Sequence, residues 1–350
     1  LPRDAACSGV GYAVYRHRSR VIMVSITLYI ICIAVLVAYA ASLPGTLLVL
    51  RGTALLSDAI SHSVLLGIAV MFLVVQSLNS VWLFIGATVA GLATVVLTEA
   101  IVQADRLKHD AAIGVVFPFF FSVGVLLISV YARNVHLDID MVVLGEIAFA
   151  PFYRLIIGGY DLGPYALWTA SGISIVNTLC IWGLFKEFKV VLFDSDFAYV
   201  TGFRPTLLYY VLMTLTSITA VGSFEIVGSI VVVALMVTPA ASAYLLVRRF
   251  GPLLVTSASF SVVSALLGYA IARIADVSIA GSIAAATGIL FCIVLLCAPQ
   301  NGVISRLMAL RRSRYRIAQR LMQTYLRSCS KETATHDALA DAFVWDKSFV

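Results

Sequence analysis

Residues 52–67 read GTALLSDAISHSVLLG, and they place two ionisable side chains inside a mostly apolar run. Asp58 and His62 are four residues apart, so on an α-helix they lie on one face, one turn apart. Ionisable side chains in a membrane-spanning helix are costly, and they usually face a cavity or a partner rather than lipid. A carboxylate oxygen and an imidazole nitrogen on one face could hold a divalent metal ion. A hydrogen-bonded pair within a helix bundle, or a pair near the membrane surface that water reaches, is the alternative.

The composition predicts a membrane protein. Of 350 residues, 61% are apolar and 12% are charged, and the mean hydropathy is +1.01. A soluble domain carries about 25% charged residues. The apolar stretches are continuous and long, without the alternation typical of an outer-membrane barrel. The sequence therefore predicts an all-α, polytopic membrane protein whose helices each cross the bilayer.

Nine apolar runs are long enough to be considered as spans, because crossing the hydrocarbon core takes about 20 residues. They are 21–50, 54–76, 81–103, 111–131, 164–185, 206–223, 226–247, 252–274 and 279–298. The first run is longer than one crossing needs, and Pro44 could kink it. The sixth and seventh runs are joined only by a turn at residues 222–225, so one of them could be short or re-entrant. The sequence leaves two possibilities, eight spans or nine.

The basic residues indicate the orientation, since Lys and Arg are enriched in cytoplasmic loops. The net charge is +6, and its position in loops gives no reason to expect nucleic acid as a partner. One set of alternate loops carries Arg51, Arg106, Lys108, Lys186, Lys189, Arg204, Arg248 and Arg249, whereas the other carries Arg133, Arg154 and Arg273. We assign the first set to the cytoplasm. Nine spans then place the N-terminus outside, but the basic cluster RHRSR at 16–20 disagrees, so the side of the N-terminus stays open.

The chain divides into three parts by composition: an N-terminal segment at 1–20, a transmembrane domain at 21–298, and a basic tail at 299–350. The tail is rich in arginine, and its apolar residues are spaced to share one helix face. That pattern predicts an amphipathic helix on the inner leaflet, followed by a polar end. No lysine follows a GxxxxG frame, so any ATP must be hydrolysed by a separate chain, and we do not predict an enzyme.

Five sequence blocks resemble the ABC-3 metal permeases, the membrane subunits of bacterial importers for manganese, zinc or iron. The blocks are LVLRGTALLSDAISHSVLLGIAV (48–70), RLKHDAAIGVVFPFFFSVGVLL (106–127), LGEI (144–147), FDSDFAYVTGF (193–203) and VGSIVVVALMVTPAASAYLL (227–246). They keep the family's order from about residue 20 to residue 298. The resemblance implies an ABC importer permease of the vitamin B12 permease-like architecture.

The resemblance implies that Asp58 and His62 contact the transported metal, because the family carries D-x-x-x-H on the corresponding helix. The carboxylate supplies charge and the neutral imidazole supplies a nitrogen donor. Two ligands hold an ion weakly, which suits a transport site that must also release it. Water or a second subunit would complete the site, in a homodimer or in a heterodimer with a sibling permease. These donors do not distinguish manganese, zinc and iron.

The block at 193–203 resembles the coupling helix that docks on the ATPase. Asp194 and Asp196 could accept hydrogen bonds from its N-terminal amides, and Gly202 could end it. The aromatic anchors would be Phe197, Tyr199 and Phe203. An ordinary loop helix on the membrane surface is the other interpretation.

Pro239 precedes the small residues 240–243, a pattern that suits either a pore-lining gate element or ordinary close helix packing.

Together these features predict a multi-pass permease subunit of an ABC importer in the bacterial inner membrane. An ABC ATPase and an extracytoplasmic metal-binding protein would be its partners. A permease for a chelated cargo such as a siderophore or cobalamin, an ion-coupled secondary transporter, and a membrane scaffold without transport are the alternatives.

Overall fold

The computed structural model describes residues 8–76, 80–104, 107–131, 147–157, 160–299 and 302–306, together with 308 and 320. The backbone alone is described for 8–24 and for Ser80. These residues form eleven α-helices. The helices are α1 (Ser8–Arg51), α2 (Leu55–Val75), α3 (Ser80–Gln103), α4 (His109–Tyr131), α5 (Tyr165–Gly183), α6 (Phe185–Phe193), α7 (Ser195–Val200), α8 (Pro205–Val227), α9 (Ser229–Leu246), α10 (Phe250–Ala275) and α11 (Ile279–Cys297).

Nine helices in the described part of the chain are long and apolar enough to cross a membrane. They are α2–α5, α8–α11, and the portion Ser25–Arg51 of α1. The prediction of an all-α polytopic protein is confirmed. The count of nine matches the higher of the two predicted numbers of spans. Pro44 lies inside α1, whose helical assignment continues to Arg51.

The predicted turn at residues 222–225 is wrong. Helix α8 continues through this segment to Val227, and only Gly228 separates it from α9. Gly222 is buried, and an added Cβ there would collide with Ile173 of α5. Close helix packing therefore explains these small residues better than a turn does. Gly228 is the residue that ends the helix, because its φ of 83° and ψ of 160° suit glycine almost exclusively.

Two local elements of the fold were not predicted. A short antiparallel hairpin, β1 (Arg154–Ile157) and β2 (Tyr160–Pro164), follows a 3-10 turn at Ala150–Phe152. Arg154 and Asp161 form an ion pair across it. Helix α6 runs between the fifth span and the predicted coupling segment.

The boundaries predicted after residues 20 and 298 do not coincide with the start of helix α1 or with the division into compact units. Helix α1 begins at Ser8, well before the apolar run at 21. The chain divides into compact units at residues 1–292 and 293–350. Of the tail at 299–350, which was predicted to hold an amphipathic helix, only 299, 302–306, 308 and 320 lie within the described residues. The block at 144–147 lies outside them except for Ile147.

Helix α1 lies at the centre of the first unit, where it packs against α5, α8, α9 and α10. Side chains from the neighbouring helices donate hydrogen bonds to its backbone carbonyls: Ser174 to Leu36 (3.1 Å), Asn177 to Ala40 (2.9 Å) and Ser261 to Ala38 (2.7 Å). Small hydroxyl and amide residues allow helices to approach closely in lipid and bond across the interface.

Helix α2 packs mainly against α3 and α4. The approach to α3 depends on paired glycines, because a Cβ on Gly67 would collide with the backbone oxygen of Gly86. On the α4 side, a Cβ on Gly124 would come within 2.8 Å of the Leu66 amide nitrogen. These contacts fix the rotation of α2, and with it the direction in which its polar side chains point.

Candidate metal-transport site

The structure brings Asp58 and His62 together in the first two turns of α2. His62 Nε2 lies 3.4 Å from Asp58 Oδ1. The side chains are 34% exposed for His62 and 45% exposed for Asp58. The predicted i, i+4 contact is therefore present, and both groups can be reached from outside the single chain. Neighbouring residues Ser57, Ser61 and Ser63 are buried, and each donates to a backbone carbonyl three or four residues earlier in the chain.

Two phenylalanine rings of α4 hold the imidazole of His62. The Phe117 ring is stacked against it with centroids 5.9 Å apart, and Phe121 meets it edge-on at the same separation. Sequence reasoning missed both residues, since the contact joins positions more than 50 residues apart. The one sequence signal for these two residues was that both lie in the block 106–127, which resembles the family.

The spacing of the two donor atoms suits a shared metal ion. An ion about 2.1 Å from each atom would make an angle of about 110° at this separation, close to tetrahedral. No group of three or more His, Cys, Asp or Glu side chains that could hold a metal occurs among the described residues. One chain thus offers two donors here, so tight binding would need water or another subunit.

The predicted coupling segment forms a short capped helix, α7. The Asp194 carboxylate accepts a hydrogen bond of 2.8 Å from the Phe197 amide, which makes it the N-cap. For Asp196 the described residues show no such bond. At the other end Gly202 has φ 89°, and the Phe203 amide donates to Ala198 O at 3.0 Å.

The aromatic side chains of this helix point outward. Phe197 is 57% exposed and Tyr199 is 76% exposed, whereas Ala198 is fully buried. Phe203 is half-buried and packs on the core. The helix is therefore fixed to the domain by one face and presents aromatic rings on the other, as a docking element would.

Pro239 is buried inside α9. Three residues earlier, the backbones of α9 and α1 nearly touch, because a Cβ on Gly45 would collide with the Met236 backbone. Ser242 donates a hydrogen bond of 2.9 Å to the Thr238 carbonyl within the same helix. These contacts support a packing role, and a gating role stays a prediction.

Sequence reasoning also missed two polar contacts between the ends of different helices. The Arg51 guanidinium lies 4.1 Å from the centre of the Tyr209 ring. Glu99 Oε2 lies 4.0 Å from His109 Nε2. The sequence showed these residues only as separate charges near span ends, which gave no signal that they meet.

The comparisons with known proteins agree with this architecture. The ABC 3 transport family matches residues 23–298. The manganese transport system membrane protein MntD of Bacillus subtilis is 44% identical over 278 residues, 79% of this chain and 94% of that protein. The zinc transport system membrane protein TroD of Treponema pallidum is 42% identical over 285 residues, 81% of this chain and 77% of that protein.

A solved structure of PsaBC from Streptococcus pneumoniae in complex with Fab has the same fold. It is 28% identical, with a TM-score of 0.66, and the match covers 81% of this chain and 94% of that one. The matched family region spans the site helix, the capped helix α7 and every apolar run found in the sequence, apart from residues 21 and 22 of the first run. The chain belongs to the ABC 3 transport family of membrane permeases.

Proposed function

We infer that this chain is the membrane permease subunit of an ATP-binding cassette importer that carries a divalent transition metal ion: manganese, zinc or iron. The protein is a multi-pass component of the bacterial inner membrane and a transport subunit rather than an enzyme. The observation that carries the inference is the match to MntD and TroD at more than 40% identity over most of both chains. The relatives are named for manganese and zinc, so their names leave the choice of metal open.

We propose that Asp58 and His62 contact the ion during passage. The 3.4 Å pair, held in place by the α4 phenylalanines, is a carboxylate and imidazole donor set that suits all three metals. Partial exposure of both side chains fits a site completed by water or by a second permease across a dimer axis. The second permease would be another copy of this chain or a sibling.

We propose further that α7 couples transport to ATP. Two copies of a separate ATPase would dock on the exposed rings of Phe197 and Tyr199, with one copy on each permease. Closure of the ATPases would draw the two α7 helices together and turn the permease from inward-facing to outward-facing. An extracytoplasmic metal-binding protein would deliver the ion. Pro239 would lie close to the helices that move during this change.

Both alternative transport functions are less well supported. A permease for a chelated cargo has no evident use for a carboxylate and imidazole pair placed to bind a bare ion. A secondary transporter needs no coupling helix and no ATPase, whereas family membership places this chain in an ATP-driven system.

Uptake of radiolabelled metal tests the proposed site in cells that make the complete transporter. We expect Asp58→Ala and His62→Ala to lose most uptake of the cognate metal at unchanged protein level, because each removes one of two donors. Asp110→Ala is the matched control, since Asp110 is an exposed acid in the first turn of α4. Normal uptake by both site variants would remove the assignment, and loss of uptake in the control as well would show a general charge effect.

A further inference from the structure

A cavity of about 720 Å³ opens between the capped helix α7 and the first three turns of α8. Tyr199 of α7 lines one side of this cavity, and residues between Arg204 and Leu215 line the other. The cavity therefore lies directly beside the segment that we propose as the docking element for the ATPase.

The depth of the cavity in the bilayer follows from the geometry of α8. This helix is one of the spans, and it begins at Pro205 on the side that the loop charges assign to the cytoplasm. From Pro205 to Leu215 the helix rises about 15 Å, at about 1.5 Å per residue, which is half of a hydrocarbon core of about 30 Å. The cavity therefore extends through the inner leaflet, where the surrounding solvent is lipid.

The wall of the cavity is apolar over most of this depth. Leu207 is 53% exposed, Val211 is half-buried and Leu215 is buried, and these aliphatic side chains line the cavity at helical spacing. The Thr214 hydroxyl donates to the Tyr210 carbonyl at 2.7 Å, so it adds no unpaired polar group to this wall. Such a wall fits an acyl chain.

The cytoplasmic end of the cavity is polar and positively charged. Arg204 is exposed and belongs to none of the ion pairs found in the described part of the chain. Tyr199 and Thr206, which carry hydroxyl groups, line the same end. A guanidinium binds phosphate through two parallel hydrogen bonds, and basic residues at the inner surface attract anionic lipids. A charged end and an apolar body together match the chemistry of an anionic phospholipid.

We propose that this cavity binds an anionic phospholipid of the inner leaflet, with its phosphate at Arg204 and an acyl chain against Leu207, Val211 and Leu215. Because Tyr199 lines the same cavity, the bound lipid stabilises α7 against α8. Coupling to the ATPase then depends on the lipid composition of the inner leaflet. This last step rests on the proposed import function, whereas lipid binding itself does not.

Native mass spectrometry of the complete transporter in detergent tests the binding, with phosphatidylglycerol and phosphatidylcholine added in separate titrations. We expect the wild type to prefer phosphatidylglycerol. Arg204→Gln should bind it about fivefold more weakly, since one basic residue contributes about that factor at an anionic surface. Thr214→Trp fills the apolar part of the cavity and should also weaken binding. Arg249→Gln is the matched control, because Arg249 is an exposed arginine just before α10, on the same side of the membrane.

The consequence for transport is measured in proteoliposomes made of phosphatidylcholine alone or of an equal mixture with phosphatidylglycerol. We expect phosphatidylglycerol to increase ATP-driven metal uptake by the wild type and by Arg249→Gln, but not by Arg204→Gln. Equal uptake by the wild type in both kinds of vesicle would overturn the link between the lipid and coupling.

Three results would overturn the lipid site itself. One is equal binding of the two lipids by the wild type, and another is a loss in Arg249→Gln as large as that in Arg204→Gln. The third is separation of the permeases in Thr214→Trp, which would show that a second permease fills the cavity. If the wild type binds the lipid but moves no manganese, zinc or iron, the import function fails and the lipid site stands.

Discussion

Phe117 helps to orient His62, because its ring is stacked against the imidazole. We expect Phe117→Ala to lower metal uptake about tenfold, since changing the groups that orient a ligand commonly costs 10- to 100-fold in affinity or activity. This loss should appear as a higher apparent KM for the metal, obtained by measuring uptake at a series of metal concentrations.

Phe119→Ala provides the matched control for that prediction. Phe119 lies on the same helix but is 60% exposed and does not touch His62. Uptake should stay within twofold of wild type in this variant. A Phe117→Ala variant with an unchanged KM would show that the imidazole is oriented by other means.

At this scale the sequence predicts the local contacts well and the distant ones poorly. Asp58 and His62 meet because a helix repeats every 3.6 residues, which the spacing alone reveals. The Asp194 cap follows from the same kind of local rule. The rings around His62, and the meeting of Arg51 with Tyr209, depend on how helices far apart in sequence pack, and no local pattern encodes that.

Helix α7 depends on its N-cap, since it has only six residues and one side-chain cap bond. We expect Asp194→Ala to destabilise the helix by about 1 kcal/mol. The ATPase should then bind several-fold more weakly in a titration of the purified permease. Asp194→Asn should bind like wild type, because asparagine caps helices as well as aspartate does. Equal binding by the alanine variant would contradict a docking role for an ordered α7.

Contact between α2 and α3 depends on the absence of a side chain at Gly67. A methyl group there meets the Gly86 backbone, which cannot move aside cheaply. We expect Gly67→Ala to destabilise the domain by about 1–3 kcal/mol, seen as a lower midpoint of thermal unfolding in detergent. Gly114→Ala in α4 should leave the midpoint equal or higher, since nothing lies within 4 Å of its added Cβ. Equal midpoints for both variants would show that α2 and α3 adjust freely.

The elements themselves are predicted unevenly by the sequence. Long apolar runs correspond to helices because only helices satisfy backbone groups in lipid. The junction of α8 and α9 was misplaced because Gly222 and Ser223 have a turn-like composition. They lie instead in a tight helix contact, while Gly228 makes the turn.

The orientation of the whole molecule in the bilayer is predicted from loop charges and can be measured directly. In a variant whose six cysteines are replaced by alanine, Ser278→Cys should react with a membrane-impermeant maleimide added outside intact spheroplasts. Arg249→Cys should react only after the membrane is opened. Both residues are exposed and lie at opposite ends of α10. The reverse pattern would invert the assignment and place Asp58 near the outer surface.

Fold and family follow from the sequence at this scale because they depend on many residues at once. The nine spans and the order of five sequence blocks leave few other architectures. The identity of the metal does not follow, since carboxylate and imidazole donors suit several ions.

The single-residue joint at Gly228 has a mechanical consequence. It ties the far ends of α8 and α9 together and leaves no slack for one helix to slide past the other. We expect a push on the near end of α8 to tilt the helix about this joint. The displacement would then be largest at the end of α8 next to α7 and smallest at Gly228.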